Sequence, residues 1–127
     1  MVLEEALKGF SAMRYYHLCG YTYRCLSHNN HANLKYSELP PRMQYGILET
    51  INGLYRVQKM VYSYDLSYVT HCIKSCGVQL KPFYNSCEVS SSFYMTRSLK
   101  VDRVERLMRI RLELLRIINR LFMYVLN

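Results

Sequence analysis

The chain has no tryptophan, three prolines, five glycines and nine acidic residues among its 127. Each shortage excludes something. With little Pro and Gly, and half of its residues hydrophobic, it lacks the composition of a disordered segment, whose apolar content is too low to offset the entropy of ordering. The glycines, Gly9, Gly20, Gly46, Gly53 and Gly77, are dispersed. Neither G-x-G-x-x-G nor G-x-x-x-x-G-K-[ST] occurs, so the phosphate-cradling loops of dinucleotide and P-loop sites are absent. Carboxylates are scarce, and Glu4, Glu5, Asp102, Glu105 and Glu113 occupy surface-like helix positions, which leaves few candidates for the paired acid and base of hydrolysis. No residue lies in a nucleophile context such as G-x-S-x-G or the papain-like cysteine surroundings. The expectation is a protein that is not an enzyme, with no small-molecule substrate and no cofactor.

A long uninterrupted apolar run is also lacking. The opening MVLEEALKGF carries Glu4 and Glu5, which speaks against a secretory signal peptide and against a mitochondrial presequence. The most hydrophobic stretch, Leu107 to Leu126, is interrupted by Arg109, Arg111, Glu113, Arg116 and Arg120. Each of these is costly at a bilayer centre, so no membrane span is expected. Five cysteines, Cys19, Cys25, Cys72, Cys76 and Cys87, form an odd set without a signal peptide; this pattern reads as reduced thiols in an intracellular protein, cytoplasmic or nuclear and not secreted.

What is present is helical patterning. Leu3, Leu7, Phe10, Arg14 and His17 fall at helical spacing, with Ala6 and Met13 beside them, so residues 3 to about 26 read as one amphipathic helix weakened at Gly20. The polar string from Ser27 to Pro41 reads as a loop. Pro41 suits the first turn of a second helix, whose apolar positions Ile47, Ile51, Leu54, Val61 and Tyr68 lie on or near one face. That helix is expected to break near Asp65, to resume to Cys76 and to stop at Gly77. Residues 78–98, with Pro82 and a Ser cluster, read as a loop with a short extended piece, a two-stranded hairpin being the alternative.

The strongest signal is the last segment. Val101, Val104, Leu107, Met108, Leu114, Leu115, Ile118, Leu121, Phe122 and Val125 fall in one broad sector, which Ile110, Ile117 and Tyr124 widen. At roughly 100° per residue they cover roughly 160° of the circumference, more than a two-stranded seam needs and typical of a helix packed against two neighbours. Ser98 is the expected cap, with Asp102 in the first turn. These readings predict an all-α fold, an irregular bundle of three to five helices in one domain over residues 1–127, with a long amphipathic C-terminal helix and loops near 27–41 and 78–98.

Charge and aromatic content bear on partners. Seventeen Lys and Arg against nine Asp and Glu give a net charge of +8, which favours acidic partners. Between Arg97 and Arg120 eight basic residues stand against three acids, five of the eight net charges. Thirteen tyrosines add to this, because Tyr and Arg are enriched at the energetic centres of protein interfaces. Tyr15, Tyr16, Tyr21 and Tyr23 cluster, as do Tyr62, Tyr64 and Tyr68. Rings two residues apart on a helix point to different sides, so the clusters cannot all face one core.

Three functional expectations follow. The first is a non-enzymatic adaptor or assembly subunit that binds a protein partner or self-associates through Leu107, Ile110, Leu114, Ile117, Ile118, Leu121 and Phe122, because a short chain has limited surface with which to cover so wide an apolar face. The second is nucleic-acid binding by Lys100, Arg103, Arg106, Arg109, Arg116 and Arg120, spaced to follow phosphates. The third is a zinc-stabilised regulatory module on Cys19, Cys25, His28 and His31. It is the weakest: five residues separate the two cysteines, outside the usual ligand-pair spacing. As small buried hydrophobes and solvated loop histidines, these residues need no metal.

Overall fold

The computed structural model describes residues 1–19, 31–79 and 96–127, and the side chains of all these except Tyr15, Tyr16, Cys19 and residues 96–102. Within them the fold is all-α: α1 (Leu3–Ala6), α2 (Ala12–Cys19), a 3-10 turn (Tyr36–Glu38), α3 (Pro41–Met60), α4 (Leu66–Ser75) and α5 (Thr96–Leu126).

The single N-terminal helix expected from residue 3 onward is two short ones. Gly9 adopts φ 93°, a left-handed conformation that a helix does not contain and that glycine enters without a Cβ clash. Beyond it the backbone runs extended for long enough that Phe10 bridges Val78, with Ser11 N donating to Gly77 O at 2.8 Å and Gln79 N donating to Gly9 O at 2.8 Å. Ser11 then caps α2, its Oγ accepting from Arg14 N at 3.1 Å. The part of the expected helix from Gly20 to residue 26, and the loop up to Asn30, lie outside the described residues.

The middle of the chain follows its pattern closely. Pro41 opens α3, where its missing N–H costs nothing. Asp65 caps α4 by accepting from Tyr68 N at 2.8 Å, and Gly77, at φ 83°, ends it. Only glycine suits that position: a Cβ there would stand 2.3 Å from Cβ of Arg14. The extended piece expected in 78–98 is represented by the one bridge at Val78, and residues 80–95 lie outside the described residues. Helix α5 begins at Thr96, so Ser98 is inside its first turn and not its cap.

One core joins the elements. Leu3, Leu7 and Phe10 from the N-terminal segment, Met43, Ile47, Ile51, Leu54 and Val57 from α3, Val69 and Ile73 from α4, and seven residues of α5 form a single buried cluster. Helices α3 and α5 are its main axis and run antiparallel. Arg111 meets Gln58 and Tyr62 at one end. At the other, Tyr124 Oη donates to Leu34 O at 2.8 Å, and its ring lies edge-on to Tyr36 at 6.0 Å. Thr50, 2% exposed, is satisfied both across elements and within α3: it accepts from Arg14 Nη2 of α2 and donates to Gly46 O at 2.8 Å.

Candidate partner-binding face

Burial divides the C-terminal helix in two. Leu107, Ile110, Leu114, Ile117, Ile118 and Leu121 are all buried in the chain's own core, with Tyr124 completing the face. These are six of the seven residues expected to meet a partner. In this fold α1, the 3-10 turn and α3 cover them, so an incoming protein does not reach them. Phe122, the seventh, is 45% exposed. The sector read from sequence as one wide face is a core face plus a separate outward one.

The outward face is a row. Met108, Leu112, Leu115, Asn119, Phe122 and Leu126 follow one another at alternating steps of four and three residues, and all six are exposed. Val104, also exposed, lies one turn earlier. A four-three alternation is the seam of a coiled coil, a stripe that stays on one side of a helix because its mean repeat nearly matches the helical turn. The core face of α5 therefore stabilises the fold while a second seam, starting from Met108, has no covering element among the described residues.

A similar row runs along α3 and just past its end: Tyr45, Leu48, Asn52, Tyr55, Lys59 and Tyr62, again at steps of three and four and all exposed. Lys59 Nζ sits 4.5 Å above the Tyr55 ring. Arg111 ties the two rows together at one point. Its Nε donates to Gln58 Oε1 at 3.4 Å, and its guanidinium lies 5.6 Å from the Tyr62 ring centre. The aliphatic row and the aromatic row therefore approach each other on one side of the α3–α5 pair. Tyr64 and Tyr68 stack at 4.9 Å near the start of α4.

The basic residues of α5 do not form one continuous charged strip. Arg103 and Arg109 are exposed and Arg106 is half-buried. Arg116 is ion-paired to Glu113 at 2.6 Å. Arg120 turns inward: Nε donates to Ala6 O at 3.3 Å and Nη2 to Lys8 O. It thereby satisfies carbonyls left over where α1 breaks off. Burial lowers its pKa, and Glu113 acts in the opposite direction. The side chain of Lys100 lies outside the described residues.

Of the zinc-type set, Cys25, His28 and the side chain of Cys19 lie outside the described residues, and His31 is half-buried in the turn that precedes α3. Among the described residues no group of three or more His, Cys, Asp or Glu is placed to hold a metal ion. Cys72 and Cys76 are thiols not joined in a disulfide. The Cys76 pKa is raised, chiefly by burial, with Arg14 pulling it down and Cys72 pushing it up. No described helix is long and apolar enough to cross a membrane.

Of the row, only Phe122 is among the residues expected from sequence to meet a partner; Met108 and Leu115 enter only as part of the broad apolar sector, and Leu112, Asn119 and Leu126 not at all. Their signal was present in the four-three spacing from Met108 onward. It was hidden because an overlapping set of apolar residues on the same helix carries a stronger pattern. The chain matches no family model, no curated protein and no solved structure.

Proposed function

We propose that this chain is a non-enzymatic adaptor or assembly subunit, held to a protein partner by the outward row of α5 together with the adjoining tyrosine row of α3. One observation carries the reading: a seam-spaced apolar row on a helix whose opposite face already supplies the core. Exposed apolar residues scattered singly need no explanation, whereas a contiguous row marks an interaction surface. Aromatic and Arg side chains along its edge, Tyr55, Tyr62 and Arg111, are the residue types that dominate interface energetics.

Nucleic-acid binding is the second reading, and it rests on the exposed Arg103 and Arg109. One of its six cations, Arg120, is turned into the chain, which shortens the run available to phosphates.

Site-specific photocrosslinking tests the adaptor reading. A benzoylphenylalanine replacing Phe122, in extract of the cells that express the chain, is expected to give a discrete adduct. The same group at Glu5 should not, and Leu112→Gln with Leu115→Gln should remove the adduct from the Phe122 position. Equal labelling from both positions, or none from the row, would overturn the reading. Excess absorbance at 260 nm that high salt removes would move the choice to nucleic acid.

A further inference from the structure

Resting on the adaptor reading, we propose that the occupant of the row is an acidic amphipathic α-helix of another protein. It would lie along α5 with its apolar stripe on Met108, Leu112, Leu115 and Phe122. The spacing requires a helix. Steps of four and three match a partner with the same repeat, while an extended strand, with its period of two, would bring every second residue away from the row.

Charge selects against a second copy. In seam geometry, the positions beside the row are Arg109, Arg116 and Met123 on one edge and, on the other, Arg111, the core residue Ile118 and the half-buried Val125. Parallel pairing of two copies sets the edge position Arg111 against Arg116 of the second chain. Antiparallel pairing sets the Arg109 and Arg116 edge against the same edge of the copy. Both arrangements oppose like charges, which disfavours association and steers the choice of partner. Lys59 within the tyrosine row and Arg56 beside it add the same sign, and Glu113 already pairs with Arg116 within the chain. A helix with Glu or Asp along its edges meets these cations favourably, and the chain's net charge of +8 would speed its approach.

The row also has a direction. Its first half is flanked by arginines and its last turn by Met123 and Val125, so the matching helix is acidic opposite residues 109–116 and apolar opposite 122–126. Asn119 sits in the middle of the seam. A polar residue at such a position fixes register by demanding a hydrogen-bonding partner across the interface.

The test uses three fluorescent three-heptad peptides against the full chain: a leucine seam with Glu edges, a leucine seam with Lys edges, and a glutamine seam with Glu edges. Anisotropy is expected to show the first binding at least about tenfold more tightly than either of the others, with its advantage over the second shrinking at high salt. The neutral double change Leu112→Gln and Leu115→Gln should abolish that binding while circular dichroism stays unchanged. Equal affinity for the two leucine peptides would overturn the acidic partner and leave the adaptor reading standing. Equal affinity for the two Glu-edged peptides would sink both, because the apolar row would then play no part. Light scattering is decisive for the remaining occupant: a dimer that the double change converts to monomer means that a second copy fills the row. If no peptide binds and the chain is monomeric, this proposal fails, and photocrosslinking alone decides the adaptor reading.

Discussion

Leu114 and Leu115 are neighbours on one helix and identical in chemistry, yet Leu114 is fully buried and Leu115 is 37% exposed. The same division runs the length of α5 from Leu107. One face packs on α1, the 3-10 turn and α3; the other carries leucine, methionine and phenylalanine at exposed positions. A roughly 100° turn between consecutive residues is enough to separate a structural role from the proposed interaction role. Residue type does not report which one a side chain has. What reports it is the position of the covering elements, and those are fixed by contacts remote in sequence, such as Arg120 to Ala6 and Tyr124 to Leu34.

The comparison breaks most sharply at Leu114. Replacing a buried leucine with alanine costs about 2–5 kcal/mol, and Leu114→Asp adds the burial of a charge without a partner. A domain of this size has about 5–15 kcal/mol in total. The expected outcome is loss of the cooperative thermal transition and of most helical circular dichroism, so that any lost binding in this variant reports unfolding. A well-folded Leu114→Asp protein would mean that the inner face is not the core.

Arg120 gives a smaller effect. Its guanidinium holds the carbonyls of Ala6 and Lys8, and hydrogen bonds involving a charged group contribute about 1.5–3 kcal/mol. Arg120→Met keeps much of the stem but removes the donors, so urea unfolding is expected to show a loss within that range. Arg109→Met, exposed on the same helix, should change stability by less than about 0.5 kcal/mol. Equal effects would show that the inward and outward arginines do not differ.

The architecture was legible where local chemistry decides it. Pro41, Asp65 and Gly77 mark the ends of α3 and α4, and each does so for a local reason: a missing N–H, a capping carboxylate, a positive φ. The all-α class and the dominance of α5 were readable from apolar periodicity. Two things were not. The course of the chain past the Gly9 turn, extended and with Phe10 bridged to Val78 almost seventy residues away, is contained in no local pattern. The division of α5 into two faces was misread because two apolar stripes overlap on one helix. A helical wheel shows their sum as a single sector; only knowledge of what covers one of them separates Leu114 from Leu115. Arg120 likewise looks, in sequence, like one member of an arginine row, whereas its donors are directed at backbone carbonyls of α1.

The smallest expected change in stability is also the most informative. Leu112 is 60% exposed, and glutamine has a helix propensity close to that of leucine. Leu112→Gln therefore removes an apolar member of the row with little loss of buried area, without adding charge and without straining the helix. Its melting midpoint is expected to match the parent chain closely, since surface changes away from such features stay within about 0.5 kcal/mol. If the outward row were an unrecognised part of the core, Leu112→Gln would instead destabilise the protein by an amount approaching that of a buried leucine. Unchanged stability together with weakened binding of the Glu-edged leucine peptide is the pair of results that assigns the two faces of α5 to different tasks. Unchanged stability with unchanged binding would leave Leu112 as a solvent-facing leucine and confine the contact to Leu115 and Phe122.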